Sequence, residues 1–295
     1  MNTIISSFDK IEGGSMKHYS KKLIARLNDY ANQLRIDALR MIYERGAGHP
    51  GGCLSCSEII SALYFHYLKI DPQRPHWEDR DRFILSKGHA SAILYAALAR
   101  RGFFDIKELQ TWGHPNSRLQ GHPDRLRTPG IEMTTGTLGQ GLSIASGIGL
   151  AARLLQQKWR IYILMGDGEC QSGIVWEGAM MASKYCLSNI TAIIDYNDVQ
   201  LDGFCHEIMP LEPFIKKWQS FNFEVVEIDG HSVKEILQAL DVTKEIHDRP
   251  SVIIAHTIKG KGVSFMENEA KWHGLAPDDE QYRQAITELK GEKNG

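Results

Sequence analysis

Four short polar segments each follow an apolar run: Ser86-Lys87-Gly88-His89 after Phe83-Ile84-Leu85, Gly166-Asp167-Gly168 after IYILM, Asp195-Tyr196-Asn197 after TAII, and His256-Thr257-Ile258-Lys259-Gly260 after VIIA. Glycines flanking Asp167 let the backbone approach a ligand, while the carboxylate offers a hard oxygen to a divalent cation. Asn197 adds a neutral carbonyl oxygen, which preserves net positive charge on a Mg2+ that must also bind a diphosphate. Taken singly, each segment is equally well a turn; their common place after strand-like runs favours the ligand reading. Twelve histidines are present, and His49, His89, His122 and His273 each adjoin a glycine, in GHPGG, KGHAS, QGHPD and WHGLA. Glycine beside histidine permits bends that bring imidazoles into one pocket, where they bind oxyanions or hydroxyls and relay protons. Each alone reads as a loop or cap residue, and spacing does not show that they converge. The GDG segment is not the dinucleotide GxGxxG pattern, no GxxxxGK[ST] segment supports triphosphate hydrolysis, and the histidines do not show the HExxH spacing of a zinc hydrolase.

The surrounding pattern is that of crossover units. Residues 20–45 carry apolar side chains at helical spacing until Gly46, and the GAGHPGG run at 46–52 is expected to break regular helix. A helix follows over 55–67, then a polar stretch at 71–82, a strand over 83–86 leading into a helix over 88–99, and a loop-rich region over 102–130. A helix opens at Gly136 to Gly141, and the clearest strands are 161–164, 191–195, 223–228 and 252–255, with helices at 174–185 and 232–246. Strands that are apolar throughout, alternating with helices, predict an α/β fold: a doubly wound, mostly parallel sheet with helices on both faces. Ligands then gather beyond the carboxyl ends of the strands, where the four polar segments lie.

Hydrophobic residues at 42% and charged residues at 24% suit a compact chain and argue against disorder or a coiled coil. Thirty-four basic against thirty-six acidic residues leave a net charge of -2, so no global field points to nucleic acid or an anionic membrane. Five scattered cysteines read as free thiols of a reducing compartment, and packing is the plainer account of the Cys53/Cys56 pair than a metal or redox site. Asn189-Ile190-Thr191 matches a glycosylation sequon by chance at a strand entrance. No signal peptide or membrane-length apolar run is evident, which makes the cytoplasm the expected location. Residues 1–18 are expected to form a flexible lead and 19–295 a single domain.

GHPGG at 48–52, RDRFILSKGHASAILYAAL at 80–98, GHPD at 121–124, TTGTLGQGLSIASGIGLA at 134–151, GDGE at 166–169 and KGKGVSFMENEAKWHG at 259–274 together resemble the successive signatures of transketolases. The resemblance runs in order across nearly all of 20–290 and implies the thiamine diphosphate-binding fold, with the cofactor held through Mg2+, for which Ca2+ or Mn2+ can substitute. By residue-to-residue correspondence it implies metal ligation by Asp167, Asn197 and the Val199 carbonyl. It places His89, His273 and Gly168 at the diphosphate, and Gly136, Leu138, Leu201 and Ile258 around the aminopyrimidine and thiazolium. His49, His89, His122 and His273 would line the sugar channel, orienting hydroxyls and assisting proton transfer. Two departures stand out. Asp195-Tyr196-Asn197 replaces the paired asparagines common in the family, and Ser172 stands where many members have a glutamate that couples active sites, leaving Glu177 as a matching acidic residue or a mere helix-surface one.

The implied activity is transfer of a two-carbon ketol unit from a ketose or ketose phosphate to an aldose or aldose phosphate. A complete transketolase of the large form is more than twice as long. The expectation is therefore an amino-terminal subunit that works with a separately encoded carboxyl-terminal, pyrimidine-binding partner in a two-plus-two assembly, in pentose phosphate exchange or with branched, deoxy or sulfonated sugars. The alternatives are a non-catalytic regulatory or scaffold protein, and a subunit of another thiamine diphosphate enzyme resembling deoxyxylulose-phosphate synthase or a 2-oxoacid dehydrogenase.

Overall fold

The computed structural model describes residues 17–291. Helix α1 (Lys21–Arg45) starts where the Ser20 side chain accepts the Leu23 N–H at 3.2 Å and stops at Gly46, whose φ of 68° only glycine adopts without strain. The GHPGG segment departs from expectation: α2 (Pro50–Ser55) takes in Pro50, Gly51 and Gly52. Proline is tolerated at the first helical position, where its missing N–H leaves no bond unmade. Gly51 is required by close approach, since a Cβ there would meet the Trp272 carbonyl oxygen at 2.9 Å. The helix expected over 55–67 is likewise divided into α3 (Ser57–Ala62) and a π-turn, Leu63–Tyr67.

The first strand, β1 (Arg82–Leu85), runs through a 3-10 turn into α4 (Ser91–Arg101), and the loop-rich stretch beyond it holds only the 3-10 segment Ile106–Thr111 among its described residues. The remaining units follow as α5 (Gln140–Leu154), β2 (Ile161–Gly166), α6 (Gly173–Lys184), β3 (Ile190–Tyr196), α7 (Cys205–Ile208) and α8 (Phe214–Ser220). The chain closes with β4 (Glu224–Asp229), α9 (Val233–Glu245), β5 (Ser251–His256) and α10 (Asp279–Lys290), the last opened by an Asp278 capping box. All five strands are parallel, in the order β1-β2-β3-β5-β4.

Alternation along the strands builds two cores. Ile161, Ile163 and Met165 of β2 face α5, α6 and α8 with Ile190, Ala192 and Ile194, whereas Tyr162 and Leu164 face α1, α3, α4 and α9 with Ile193 and Ile253. Burial on both faces explains why β2, β3 and β5 lack polar alternation, whereas the edge strand β4, EVVEID, is only partly buried. A smaller cluster joins α1 and α10 to Val263, Met266 and Trp272. The expected amino-terminal lead lies, for residues 1–16, outside the described residues; Lys17 and Tyr19 already contact Asp241 on α9. Cys53 and Cys56 are both fully buried and unpaired, consistent with packing. Among the described residues no helix is long and apolar enough to cross a membrane.

Candidate functional site

Parallel pairing sets Gly166 beside Asp195 and Tyr196 beside His256, so the loops leaving β2, β3 and β5 emerge side by side. Together with the loop after β1 they enclose a pocket of about 210 Å3, lined by Gly52, Lys87, His89, Leu138, Asp167, Gly168, Asn197, Val199, Leu201, Lys259 and His273 among others. Three of the four glycine-flanked histidines converge: the ring centroids of His49, His89 and His273 form a triangle with sides of 5.0, 5.3 and 5.2 Å. His122 is exposed and packed over Gly136, where a would-be Cβ comes to 3.2 Å from the His122 ring, and its charge, after burial, helps hold His49 below the usual imidazole range. Gly136 lines a neighbouring pocket with Ser86 and Thr135. Leu138 and Leu201 edge the histidine pocket with 40% and 62% of their surface free, apolar groups open to a ligand or a second chain. Ile258 sits in the loop after β5, its N–H donating to His231 Nε2 at 2.9 Å. Glu177 lies on the exposed face of α6 and is not among the residues lining the pocket.

Asp167 is buried, and its oxygens accept the N–H groups of Gly168 at 2.7 Å and Asp198 at 2.5 Å. Burial, reinforced by the charge of Asp195, pushes its carboxyl up to about 6, so a cation in the pocket would relieve it. Asn197 accepts the Val199 N–H on Oδ1 at 3.2 Å and presents Nδ2 to Asp195. The Val199 carbonyl accepts from Lys259 Nζ at 2.7 Å. Among the described residues no group of three or more His, Cys, Asp or Glu side chains is placed to hold a metal.

Charges missed in the sequence hold this arrangement. Asp195, completely buried, pairs with buried Lys87 and also accepts from Ser55 Oγ at 2.6 Å and Thr257 Oγ1 at 2.5 Å. Although burial opposes both charges, each holds the other ionised: Lys87 is raised and Asp195 lowered from the usual range. Glu169, also buried, accepts from Ser86 Oγ and from the N–H groups of Gly139 at 2.8 Å and Gly166 at 3.2 Å, tying the β1 and β2 loops to the start of α5. Lys259 reaches His273 Nδ1 at 2.9 Å. The only signal for these residues was their place in, or next to, the polar segments that follow the strands.

The imidazoles and Lys259 of the pocket disfavour one another's positive charge. Burial and then the charges of Lys87, His273, His49 and Lys259 hold His89 well below the usual imidazole range. His273 is pulled down to about 3 by burial and by Lys259, and the Lys259 amine down to about 8 by burial and by Lys87. Gln200, which lines the same pocket, has a buried Nε2 without a partner. Residues 27–293 match the family described as transketolase, thiamine diphosphate binding domain.

The chain belongs to the transketolase family.

Over 266 residues it is 45% identical to the 6-deoxy-6-sulfo-D-fructose transketolase subunit SqwG of Clostridium sp. (strain MSTE9), covering 90% of this chain and 97% of that protein. It is 41% identical over 251 residues to a protein of Phocaeicola vulgatus named as one subunit of an apulose-4-phosphate transketolase, covering 85% of this chain and 89% of that one. Human transketolase is 37% identical over 281 residues, covering 93% of this chain and 44% of the human protein. The crystal structure of transketolase from Campylobacter jejuni superposes with a TM-score of 0.86 at 35% identity, over 92% of this chain and 43% of that one. The chain therefore spans less than half the length of these full transketolases and nearly the full length of the two proteins named as subunits.

Proposed function

We propose that this chain, as a single diphosphate-binding domain, is the amino-terminal subunit of a two-component transketolase that moves a two-carbon ketol unit from a ketose donor to an aldose acceptor. The observation that carries this reading is the convergence, beside the buried carboxylate of Asp167 at the ends of parallel strands, of Lys87, which Asp195 holds charged, with Lys259 and three imidazoles whose protonation burial and neighbouring charge disfavour. A diphosphate with a divalent cation supplies the missing charge of both signs. The residues fit that group: Asp167, Asn197 and the Val199 carbonyl would hold Mg2+, once Lys259 turns from that carbonyl toward phosphate oxygens. His89, His273 and Gly168 would contact the diphosphate, with Gly136, Leu138, Leu201 and Ile258 against the rings. Thiamine diphosphate, when bound, supplies the carbon nucleophile and electron sink.

The chain's own groups then bind and orient. His49 and His89, kept neutral by burial and by nearby charges, can each accept a hydroxyl proton on one ring nitrogen and donate from the other, whereas His273, whose Nδ1 faces Lys259, can donate from Nε2. His122 at the rim reaches the outer part of the sugar. Glu177 on exposed α6 is a coupling residue only if a second chain covers that helix. The open pocket edge and the full-length match to separately named subunits support a partner chain that completes the site; the assembly we propose for the pair is two-plus-two. Because two relatives are named for a sulfonated ketose and for apulose-4-phosphate, the donors to be tried include specialised sugars as well as ordinary pentose phosphates.

The test is reconstitution. The chain, a partner subunit, thiamine diphosphate and Mg2+ should together turn over ketose donors, while the chain alone should not; turnover by the homogeneous chain would reject the two-component reading. Replacing Asp167 with Ala should abolish Mg2+-dependent cofactor binding, and unchanged binding would reject its metal role.

A further inference from the structure

A buried polar chain runs from α1 to the loop that carries Lys259. Arg35 on α1, 6% exposed, donates to Glu58 Oε2 on α3 at 2.6 Å, with Glu58 itself 7% exposed. Arg35 Nε is meanwhile anchored on the Leu54 carbonyl at 3.1 Å. The same Glu58 oxygen lies 3.0 Å from His231 Nδ1, and His231 Nε2 lies 2.9 Å from the Ile258 amide nitrogen. Burial works against the Glu58 charge, but the His231 hydrogen bond and the Arg35 charge overcome it and hold the carboxyl below its usual range.

The tautomer of His231 follows from its partners. A main-chain N–H can only donate, so Nε2 must carry the lone pair and Nδ1 the proton, which points at Glu58. The turn that presents the ring is equally constrained. A Cβ on Gly230 would fall 2.4 Å from Thr257 Cγ2, so only glycine lets the turn after β4 lie against the loop after β5. Gly230 N–H donates to the His256 carbonyl at 2.8 Å, and His231 N–H to Asp229 Oδ1 at 2.8 Å, fixing the ring's base. One residue beyond Ile258, Lys259 enters the pocket toward Val199 and His273.

We propose that His231 is a positioning residue: clamped by Glu58 and Arg35, it holds the Ile258 amide and thereby sets the entry of Lys259 into the diphosphate pocket. The anchor stands on geometry alone, whereas its consequence for cofactor binding rests on the transketolase reading above. A role confined to general stability would be indifferent to which ring nitrogen is imitated. His231→Asn keeps a donor near the Nδ1 position and loses the Ile258 acceptor; His231→Gln keeps an acceptor near Nε2.

Hydrogen exchange read by mass spectrometry on the full chain, without cofactor, tests the anchor. In His231→Asn, protection of residues 257–262 should fall about tenfold, the scale of one lost hydrogen bond, with β3 unchanged, and in His231→Gln it should stay within about threefold of wild type. With the partner subunit, the thiamine diphosphate concentration for half-maximal activity should rise about tenfold in His231→Asn with kcat at saturation within about twofold, and His231→Gln should recover it. Nitrogen-15 shifts of histidine in the unaltered chain supply a readout that needs no variant and should show the proton of His231 on Nδ1. Unchanged exchange in His231→Asn, equal damage in His231→Gln, or a proton on Nε2 overturns the anchor. A perturbed loop with unchanged cofactor dependence overturns its link to Lys259. Absence of turnover in the wild-type complex would instead sink the enzymatic reading, and the exchange result would still decide the anchor.

Discussion

Replacing Lys87 with Met isolates the charge beneath the pocket. Asp195 has no exposed surface, and its countercharge is Lys87; its other side-chain donors, Ser55, Asn197 and Thr257, are neutral. Methionine fills the space of the lysine stem but leaves the carboxylate without countercharge and the Gly52 carbonyl without its 2.8 Å donor. Removing one partner of a buried ion pair costs about 3–5 kcal/mol, because the remaining ion is desolvated and uncompensated. At roughly 2–3 °C per kcal/mol for a chain of this size, the melting temperature should fall by about 6–15 °C. Tryptophan fluorescence during urea unfolding reads the same change, since Trp218 and Trp272 are fully buried. The double change Lys87→Met with Asp195→Asn should recover about 2 kcal/mol or more relative to the sum of the singles, because the amide retains the neutral bonds without a charge. A loss below about 1 kcal/mol in Lys87→Met, or strict additivity in the cycle, would refute the assignment of this pair as the electrostatic floor of the site.

Alkylation with iodoacetamide at pH 8 should label Cys186 in the native chain and all five cysteines after unfolding; burial lifts the Cys53 thiol to about 11 and the Cys56 thiol to about 12, so neither is a thiolate in the fold. Native labelling of Cys53 or Cys56 at the rate of Cys186 would contradict their packing. Asp167 has its carboxyl raised by burial and by Asp195, so the stability of the protonated form is fully present below the unfolded value of about 3.9 and lost as pH rises through about 6. Without metal, the melting temperature of Asp167→Asn should therefore gain on wild type between pH 4 and about 7, and a pH-independent difference would show that the carboxyl is not strained.

Local rules made much of the fold readable. Ser20 and Gly46 bound α1, apolar runs mark β2, β3 and β5, and a carboxylate or an amide follows directly on β2 and β3, at Asp167 and Asn197. These signals act over a few residues, so a one-dimensional reading captures them. Helix at Pro50-Gly51-Gly52 was missed because Gly51 answers to Lys259 and Trp272, more than two hundred residues away in sequence, and not to local propensity.

By itself the sequence determined the α/β class, the motif order that places the chain in its family, and the residues offered to the site: His49, His89, His273, Asp167, Asn197, Val199 and Leu201 all meet at one end of the sheet. Tertiary structure alone decided which of those offers converge and what sustains them. It left His122 at the rim and Glu177 on an exposed helix face, and it brought in Lys87, Asp195, Glu169 and the Arg35–Glu58–His231 chain. The physical reason is the cost of burying charge: each such group is tolerable only beside a partner that the strand order β1-β2-β3-β5-β4 delivers from a distant part of the chain, and no local pattern records that pairing.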